Sequence, residues 1–327
     1  MSPSVIDPPI FSGQTPLGLT DEQLSFFQEN GYLVISEFLS NNEVQSLLST
    51  TNNLLENFSL DSHPLTRFTT GDDTDGEGQD AKHVGDEYFL TSGDKVRFFF
   101  EPEAISTTDQ KLLKPKHLAV NKIGHALHSK SPVFEKVTLS PRNAAIAKSL
   151  GFQDPRCLQS MVICKQPGIG GAVPPHRDSE FLYTSPPSAV GWWIALQDAE
   201  LGNAALGFWK GSHRGRKGGH IRRRFVRARE GGTTFLENDG PTLPHGMDEE
   251  QTAQELEGDF EILQVKAGDL VLIHGNVLHK SERNTSSKSR YAYAFHVIEG
   301  ADGWVYDEKN WLQPPPEGFS RLKDVEL

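Results

Sequence analysis

The stretch Gly268-Asp-Leu-Val-Leu-Ile-His-Gly-Asn-Val-Leu-His279-Lys-Ser281 begins with a short apolar run that is typical of a buried β-strand. The run Leu270–Ile273 lies between two glycines, and glycine commonly marks the ends of strands. Many short runs of this kind, separated by Pro and Gly, indicate an all-β sandwich or jelly roll. The other predicted strands are Tyr32–Ile35, Val96–Phe100, Ser160–Cys164, Val190–Gln197, Ala205–Trp209, Phe260–Val265 and Tyr291–Val297.

Helical patterns mostly come before these strands instead of alternating with them. Thr20 is a favourable N-cap for a helix that ends before Gly31, and Ser40 is a favourable N-cap for a second helix. Ala144–Leu150 indicates a short third helix. We therefore predict a mainly β fold with flanking helices.

The chain of 327 residues is short enough to form one domain. We predict an N-terminal arm over residues 1–19 and a single domain over residues 20–316, with its jelly-roll core at about 155–300. Residues 317–327 are predicted to form a C-terminal tail.

Composition and charge restrict the classes of function. A formal net charge of -12 disfavours binding to nucleic acids or anionic membranes, which need clustered Lys and Arg. Two cysteines are too few for a disulfide framework, and no apolar run approaches the roughly 20 residues of a membrane helix. The first residues have neither the basic nor the apolar region of a secretory signal. We expect a cytoplasmic protein that binds neither nucleic acid nor membranes.

A candidate metal site begins in Pro174-Pro175-His176-Arg177-Asp178. On a strand, residues two apart point to the same face, so His176 and Asp178 would direct an imidazole and a carboxylate to one point. The third ligand is predicted to be His279, which follows the strand quoted above. Two histidines and one carboxylate form the facial triad of non-haem Fe(II) oxygenases, which leaves positions open for a chelating co-substrate and O₂. Zinc sites more often use Cys or three His.

Arg290 follows His279 by eleven residues and begins a predicted strand. A turn near residues 284–287 would pair this strand with the His279 strand and bring Arg290 beside the metal site. A buried guanidinium there would bind the distal carboxylate of 2-oxoglutarate, and Ser281 would add a hydroxyl. This pattern predicts an Fe(II)- and 2-oxoglutarate-dependent dioxygenase.

Other histidines and one basic segment allow alternative readings. His274 rivals His279 as a ligand, but the two are five positions apart, which strict alternation places on opposite faces. His125 and His128 either line a substrate pocket or pack in the core. The basic segment Arg214–Arg229 is compatible with an anionic substrate, a nuclear signal or nucleic-acid contact, or a solvated loop.

Several further stretches resemble the phytanoyl-CoA dioxygenase family from about residue 20 to about residue 315. They resemble most the branch called phytanoyl-CoA dioxygenase domain-containing protein one, rather than the peroxisomal enzyme that hydroxylates phytanoyl-CoA. These stretches are Ser92-Gly-Asp-Lys-Val-Arg-Phe-Phe-Phe-Glu101, Asn121-Lys-Ile-Gly-His-Ala-Leu-His128, Lys165-Gln-Pro167, Phe181-Leu-Tyr-Thr184 and Asn310-Trp-Leu-Gln-Pro314.

The resemblance implies a double-stranded β-helix core of the cupin-like type. It also implies that Lys95, Met161, Trp193 and Ser281 contact 2-oxoglutarate together with His176, Asp178 and Arg290. The chain departs from the family at residues 203–206, where Asn-Ala replaces a common Asn-Gly pair.

The predicted reaction is hydroxylation of a small organic substrate, with decarboxylation of 2-oxoglutarate to succinate. One alternative is an oxygenase that tailors a specialised metabolite by hydroxylation or desaturation. The other is a non-catalytic, cupin-like ligand-binding protein. The sequence leaves the substrate and the oligomeric state open.

Overall fold

A computed structural model describes residues 5–6, 9, 11–12, 18–68, 85–214, 219–247 and 260–323. Most of the predicted N-terminal arm lies outside these ranges, as does part of the basic segment Arg214–Arg229. None of the helices within the described ranges is long and apolar enough to cross a membrane.

Seven α-helices lie within the described ranges, most of them short. They are α1 (Asp21–Asn30), α2 (Asn41–Asn57), α3 (Glu87–Leu90), α4 (Leu127–Lys130), α5 (Pro132–Thr138), α6 (Pro141–Ser149) and α7 (Asp178–Phe181). Three single 3₁₀ turns are found at Pro102–Ala104, Lys116–Leu118 and Leu201–Asn203.

Strands dominate the rest of the described chain. They are β1 (Val5–Ile6), β2 (Phe11–Ser12), β3 (Tyr32–Ser36), β4 (Val96–Phe100), β5 (Val120–His125), β6 (Pro155–Lys165), β7 (Val173–His176), β8 (Thr184–Ser185), β9 (Val190–Ala195), β10 (Leu206–Phe208), β11 (Arg223–Arg227), β12 (Thr233–Glu237), β13 (Glu261–Leu263), β14 (Leu270–His274), β15 (His279–Ser281), β16 (Arg290–Glu299), β17 (Val305–Tyr306) and β18 (Ser320–Arg321).

The helix starts predicted from capping residues are confirmed. The Thr20 and Ser40 side chains each accept a hydrogen bond from the backbone N–H three residues later, at the starts of α1 and α2. Gly31 ends α1 with a left-handed φ of 79°, which glycine adopts without steric cost. The third predicted helix begins earlier than expected, at Pro141, because Ser140 caps it and proline suits the first helical position.

Two facing sheets form the jelly-roll core. The larger sheet has nine strands in the order β2-β3-β14-β9-β16-β6-β5-β4, with β18 also paired to β6. The smaller sheet has the order β1-β13-β10-β15-β7. The larger sheet therefore takes strands from outside the predicted core of residues 155–300, and β18 lies within the predicted tail.

Successive side chains of the central strands pack alternately into two hydrophobic cores, one under the helices and one between the two sheets. On β14, Leu270 and Leu272 pack on the helix side, whereas Val271 and Ile273 pack between the sheets. The other central strands alternate in the same way, since successive residues of a strand point to opposite faces. Both faces are buried, which explains why these strands have continuous apolar sequences.

One predicted pairing is wrong. The strand that starts at Arg290 does not pair with the His279 strand; β16 pairs with β6 and β9 in the larger sheet. β15 pairs with β10 and β7 in the smaller sheet. The chain between residues 281 and 290 therefore crosses from one sheet to the other, so His279 and Arg290 face the same interior from opposite sides.

Candidate metal centre and cavity

Three elements bring His176, Asp178 and His279 together. His176 ends β7, Asp178 is the first residue of α7, and His279 begins β15 directly opposite His176 in the antiparallel ladder. One ligand atom from each residue lies within 4.8 Å of the others. The prediction that His176 and Asp178 lie on one strand is wrong, because the strand ends at His176. The chain turns into the short helix α7 at Asp178, and this turn directs the carboxylate to the same point.

Backbone hydrogen bonds orient both imidazoles. His176 Nδ1 lies 2.9 Å from the Pro174 carbonyl oxygen, and His279 Nδ1 lies 3.2 Å from that of Val277. A carbonyl only accepts, so each Nδ1 carries the proton and each Nε2 keeps its lone pair. These Nε2 atoms lie 3.5 Å and 3.7 Å from the same Asp178 oxygen, Oδ1. Metal-binding histidines commonly donate the N–H of their other ring nitrogen to a backbone carbonyl in the same way, which fixes the ring orientation.

The protonation states also suit a metal. Burial, and to a smaller extent the nearby His176, lowers the pKa of His279 to about 4, so the ring is neutral at neutral pH. Burial of Asp178 opposes its charge, but the surrounding histidines His279, His296 and His176 outweigh burial and hold its pKa well below the usual range. A neutral His279 and an ionised Asp178 are the ligand forms that Fe(II) requires.

The rival histidines lie elsewhere. His274 is half-buried and lies against Phe27 and His213, and its Nδ1 accepts the backbone N–H of Asn276. His213 Nε2 bonds to the carbonyl of Gln28. Neither belongs to the cluster of potential metal ligands found among the described residues.

A cavity of about 570 Å³ extends from the triad between the two sheets. Its floor is formed by β6 and β16, where Ala294 lies opposite Met161 and also opposite Trp193 of β9. The small alanine leaves space between these larger side chains. Met161, Trp193 and Ser281, which the family resemblance implied as co-substrate contacts, all line the cavity, and so does Arg290.

Arg290 is a buried cation that has no anionic partner in the part of the chain that the structure describes. It is 1% exposed, and its Nη2 donates to the Ala204 carbonyl at 2.9 Å. Nε and Nη1 have no partner among the described residues. Burial lowers its pKa to about 9, which still leaves it charged at neutral pH. An unpaired buried charge is costly, so a carboxylate of a bound molecule fits this position.

The turn that holds Arg290 contains the departure from the family pattern. Ala204 adopts a left-handed φ of 73°, the conformation that the more common glycine adopts freely. The turn shape is therefore retained with alanine, and its carbonyl oxygen still reaches the guanidinium.

A different lysine from the expected one lines the cavity. Lys95 is exposed, and its Nζ bonds to Asp94 at 3.0 Å and to the Thr91 carbonyl at 3.1 Å. Lys122 on β5 lines the cavity instead, with Nζ 3.9 Å from Met161 Sδ and 3.2 Å from the centre of the Phe68 ring. Burial lowers the pKa of Lys122 to about 7. The available signal for this residue was a lysine within the stretch Asn121–His128, which resembles the family.

A buried charge pair adjoins Lys122. Lys165 lies opposite Arg290 in the β6–β16 ladder, and its Nζ donates to the carbonyl oxygens of Gly171 and Glu282. Glu101 accepts the Gly171 N–H at 3.1 Å. Burial raises the pKa of Glu101 and lowers that of Lys165, and their mutual attraction opposes both shifts. This end of the cavity is therefore strongly polar.

The other end of the cavity is aromatic and is lined by Phe89, Phe181, Phe225 and Trp311. Phe68 lies between this cluster and Lys122, in contact with Phe89 and with the Lys122 ammonium group. His125 also lines the cavity, whereas His128 does not; His128 is buried against Ser160, with a bond of 2.8 Å from its Nδ1 to Ser160 Oγ.

The described part of the basic segment forms a wall of this aromatic end. Phe225 lies on β11, which pairs with β12 as a hairpin. Arg223 bonds to Glu180 of α7 at 3.0 Å, and Arg224 bonds to Asp307 at 2.9 Å and to Asp239. Arg227 donates to the carbonyl of Trp311 at 2.8 Å. These arginines fix the hairpin against α7 and the C-terminal segment.

Comparison with known proteins gives a consistent result. The family model described as "Phytanoyl-CoA dioxygenase (PhyH)" matches residues 27–292. The chain is 43% identical over 295 residues to a "Phytanoyl-CoA dioxygenase" of Arabidopsis thaliana, covering 90% of this chain and 94% of that protein. It is 42% identical to "Phytanoyl-CoA dioxygenase domain-containing protein 1" of Bos taurus, covering 91% and 96%.

A solved structure shares the fold at lower identity. The epimerase SnoN, described in complex with Fe3+, alpha ketoglutarate and nogalamycin RO, is 15% identical, with a TM-score of 0.55 and coverage of 93% of both chains.

Proposed function

The chain belongs to the phytanoyl-CoA dioxygenase family, and we propose that it is an Fe(II)- and 2-oxoglutarate-dependent dioxygenase. It oxidises a small organic substrate with O₂ while 2-oxoglutarate is decarboxylated to succinate. The observation that carries this proposal is that His176, Asp178 and His279 share one cavity with Arg290, a cation for which the described ranges hold no anionic partner. The SnoN structure, which has the same fold, contains iron and alpha ketoglutarate.

One set of residues binds the metal and another set binds the co-substrate. Iron bound by the triad supplies the activation of O₂. Arg290 and Lys122 hold the far carboxylate of 2-oxoglutarate, because both line the cavity on strands of the larger sheet, which faces the triad. Lys165 of the same sheet also lines the cavity, but its ammonium group donates to the carbonyl oxygens of Gly171 and Glu282. Ser281 offers a hydroxyl to 2-oxoglutarate. Lys122 takes the role that the family resemblance gave to Lys95, which lies outside the cavity.

Met161 and Trp193 exclude water from the co-substrate. Trp193 lies beside the Arg290 guanidinium, with its ring centre 5.2 Å from Cζ, and Met161 stands opposite Ala294. Exclusion of water strengthens the ion pair between the guanidinium and the carboxylate.

The substrate places an apolar part against the aromatic end of the cavity. The wall of Phe89, Phe181, Phe225 and Trp311 offers flat apolar surfaces, which contribute most of the affinity in small-molecule sites. The arginines of the β11–β12 hairpin are already bonded to the protein, so an anionic substrate is not needed to explain them.

The chain works in a reducing compartment, and we assign it to the cytoplasm. Both cysteines, Cys157 and Cys164, are free and buried. Free thiols are typical of proteins in the cytosol.

The decisive experiment is an anaerobic titration of metal-stripped protein with Fe(II) and then 2-oxoglutarate, followed by the visible charge-transfer band of the chelated keto acid. Wild type should develop the band, and Asp178→Ala should not. Arg290→Ala should require roughly 10- to 100-fold more 2-oxoglutarate, since a charged hydrogen bond contributes about 1.5–3 kcal/mol.

Arg321→Ala serves as the control because Arg321 is exposed on β18 and bonds to Asp154, away from the cavity. It should titrate like wild type. Folded wild-type protein without a band would reject the proposal. With the band established, succinate release in the presence of neutral aromatic and anionic test compounds checks the substrate class; stimulation by the anionic compounds alone would reject the aromatic subsite.

A further inference from the structure

A third histidine, His296, contacts the triad without belonging to it. It lies on β16, and its Nε2 is 3.3 Å from Asp178 Oδ2. The other oxygen of the same carboxylate, Oδ1, faces the Nε2 atoms of His176 and His279. The two carboxylate oxygens therefore have different partners: one faces the metal position and the other faces His296.

Hydrogen-bond chemistry determines which His296 nitrogen carries the proton in this arrangement. An ionised carboxylate only accepts, so His296 Nε2 must donate to Asp178. Gln159 Nε2 lies 3.3 Å from His296 Nδ1, and an amide N–H can only donate. Gln159 therefore holds His296 in the tautomer that carries its proton on Nε2. The two residues lie directly opposite each other in the β16–β6 ladder, where cross-strand side chains meet.

The neighbouring strand makes room for this contact. Gly191 of β9 lies opposite His296 on its other side. A Cβ at position 191 would stand 3.2 Å from Asp178 Oδ2 and 3.5 Å from His296 Nε2. Any larger residue would therefore crowd the hydrogen bond. The register of the β16–β6 ladder also shifts between His296 and Val297 of β16. Such irregularities often change the direction of side chains next to active sites.

We propose that His296 and Gln159 are positioning residues that hold Asp178 as a one-oxygen ligand of the iron, an inference that rests on the proposed function. His296 orients the carboxylate so that Oδ2 points towards its imidazole and Oδ1 faces the metal position. A carboxylate that bound through both oxygens would take a coordination position that 2-oxoglutarate or O₂ needs. Partners of this kind commonly change metal affinity or activity by about 10- to 100-fold when removed.

The test uses Fe(II) alone, and then Fe(II) with 2-oxoglutarate, under anaerobic conditions. His296→Leu removes the donor and should weaken Fe(II) binding about 10- to 100-fold and alter the charge-transfer band. His296→Gln keeps an N–H donor at similar reach and should recover most of the affinity. Gln159→Leu does not alter a contact of Asp178, but it removes the hydrogen bond that holds His296 in one tautomer. The Fe(II) affinity of this variant should therefore lie between those of wild type and His296→Leu.

His128→Leu is the matched control, because it also removes a buried, hydrogen-bonded imidazole but does not line the cavity. It should lower thermal stability without changing Fe(II) affinity. A merely structural role for His296 predicts that His296→Gln and His296→Leu bind Fe(II) equally, and this result would overturn the inference. If His296→Leu does not fold, Gln159→Leu decides: Fe(II) affinity equal to that of wild type overturns it.

The outcome separates this inference from the proposed function. Wild type that binds no Fe(II) overturns both. Wild type that binds Fe(II) and forms the band, with His296→Leu within about threefold of its affinity, overturns only the positioning role.

Discussion

The charges of the residues that line the cavity matter for ligand binding as much as the shape of the cavity does. 2-Oxoglutarate brings two carboxylates into a space that burial makes unfavourable for unpaired charge. Arg290 has no anionic partner among the described residues, and the Lys122 ammonium group lies against Met161 Sδ and the Phe68 ring. The far carboxylate of bound 2-oxoglutarate would pair with both cations and raise the depressed pKa of Lys122 again.

The two lysines give a residue-scale prediction. Lys122→Met should weaken 2-oxoglutarate binding roughly 10-fold or more, because it removes a charged hydrogen bond worth about 1.5–3 kcal/mol. Lys95→Met should bind normally, because Lys95 is exposed and paired with Asp94. Anaerobic titration of both variants with 2-oxoglutarate distinguishes them; weakened binding in Lys95→Met alone would restore the role implied by the family resemblance.

The sequence predicted the residues with strong local patterns. His176, Asp178 and His279 were chosen from ligand type and spacing, and Arg290 from its place at a strand start. Lys122, His296 and Gln159 were not found, because their roles depend on which strands pair and in which register. Register is set by packing of the whole sheet, which a local pattern does not report.

At the scale of elements, the site depends on how α7 is attached to the sheets. Asp178 is its first residue, and the next residue, Ser179, donates its backbone N–H to the Gly275 carbonyl at 2.9 Å. Gly275 in turn donates to the Ala189 carbonyl at 2.8 Å. This glycine therefore joins the end of β14, the start of α7 and the entrance to β9.

Replacement of Gly275 gives the prediction at this scale. A Cβ there would stand 2.3 Å from both the Ala189 carbonyl oxygen and Ser179 Oγ. The backbone must shift, so Gly275→Ala should lower the free energy of unfolding by about 1–3 kcal/mol and weaken Fe(II) binding through Asp178. Gly202→Ala is the control, since a Cβ at Gly202 meets no atom within 4 Å. Chemical denaturation and Fe(II) titration measure both effects; equal results for the two variants would contradict the role of Gly275.

Elements also show where local reasoning fails. Strands were predicted well because continuous apolar runs report burial on both faces, as in β14 and β16. The pairing partners of the strands were not predicted in the same way. The expected hairpin of β15 and β16 is wrong, because the chain crosses from one sheet to the other between these strands. A jelly roll pairs strands that are distant in the chain, so nearness in sequence is a poor guide to pairing.

At the scale of the whole molecule, several histidines are buried in their neutral form. Burial lowers the pKa of His128 and of His213 to about 4 in each case. The ordinary value of about 6.5 applies once the chain unfolds. Above pH 6.5 both states hold these rings neutral, so they add no pH dependence there. Below pH 6.5 these histidines become protonated in the unfolded chain, whereas in the folded protein they stay neutral until about pH 4.

The free energy of unfolding should therefore fall as the pH drops from about 6.5 to 4, by up to about 1.4 kcal/mol per pH unit for each of these histidines. His128→Gln removes one of them, so its stability should depend less steeply on pH in this window, whatever its stability at pH 7. His117→Gln alters an exposed histidine and is the matched control, expected to follow the wild-type slope. Urea denaturation of the metal-free protein at several pH values between 4 and 7 gives the slopes directly. Because the prediction concerns a slope, a loss of packing in His128→Gln shifts its curve without flattening it; parallel curves for His128→Gln and wild type would mean that this imidazole is protonated in the folded state as readily as in the unfolded chain.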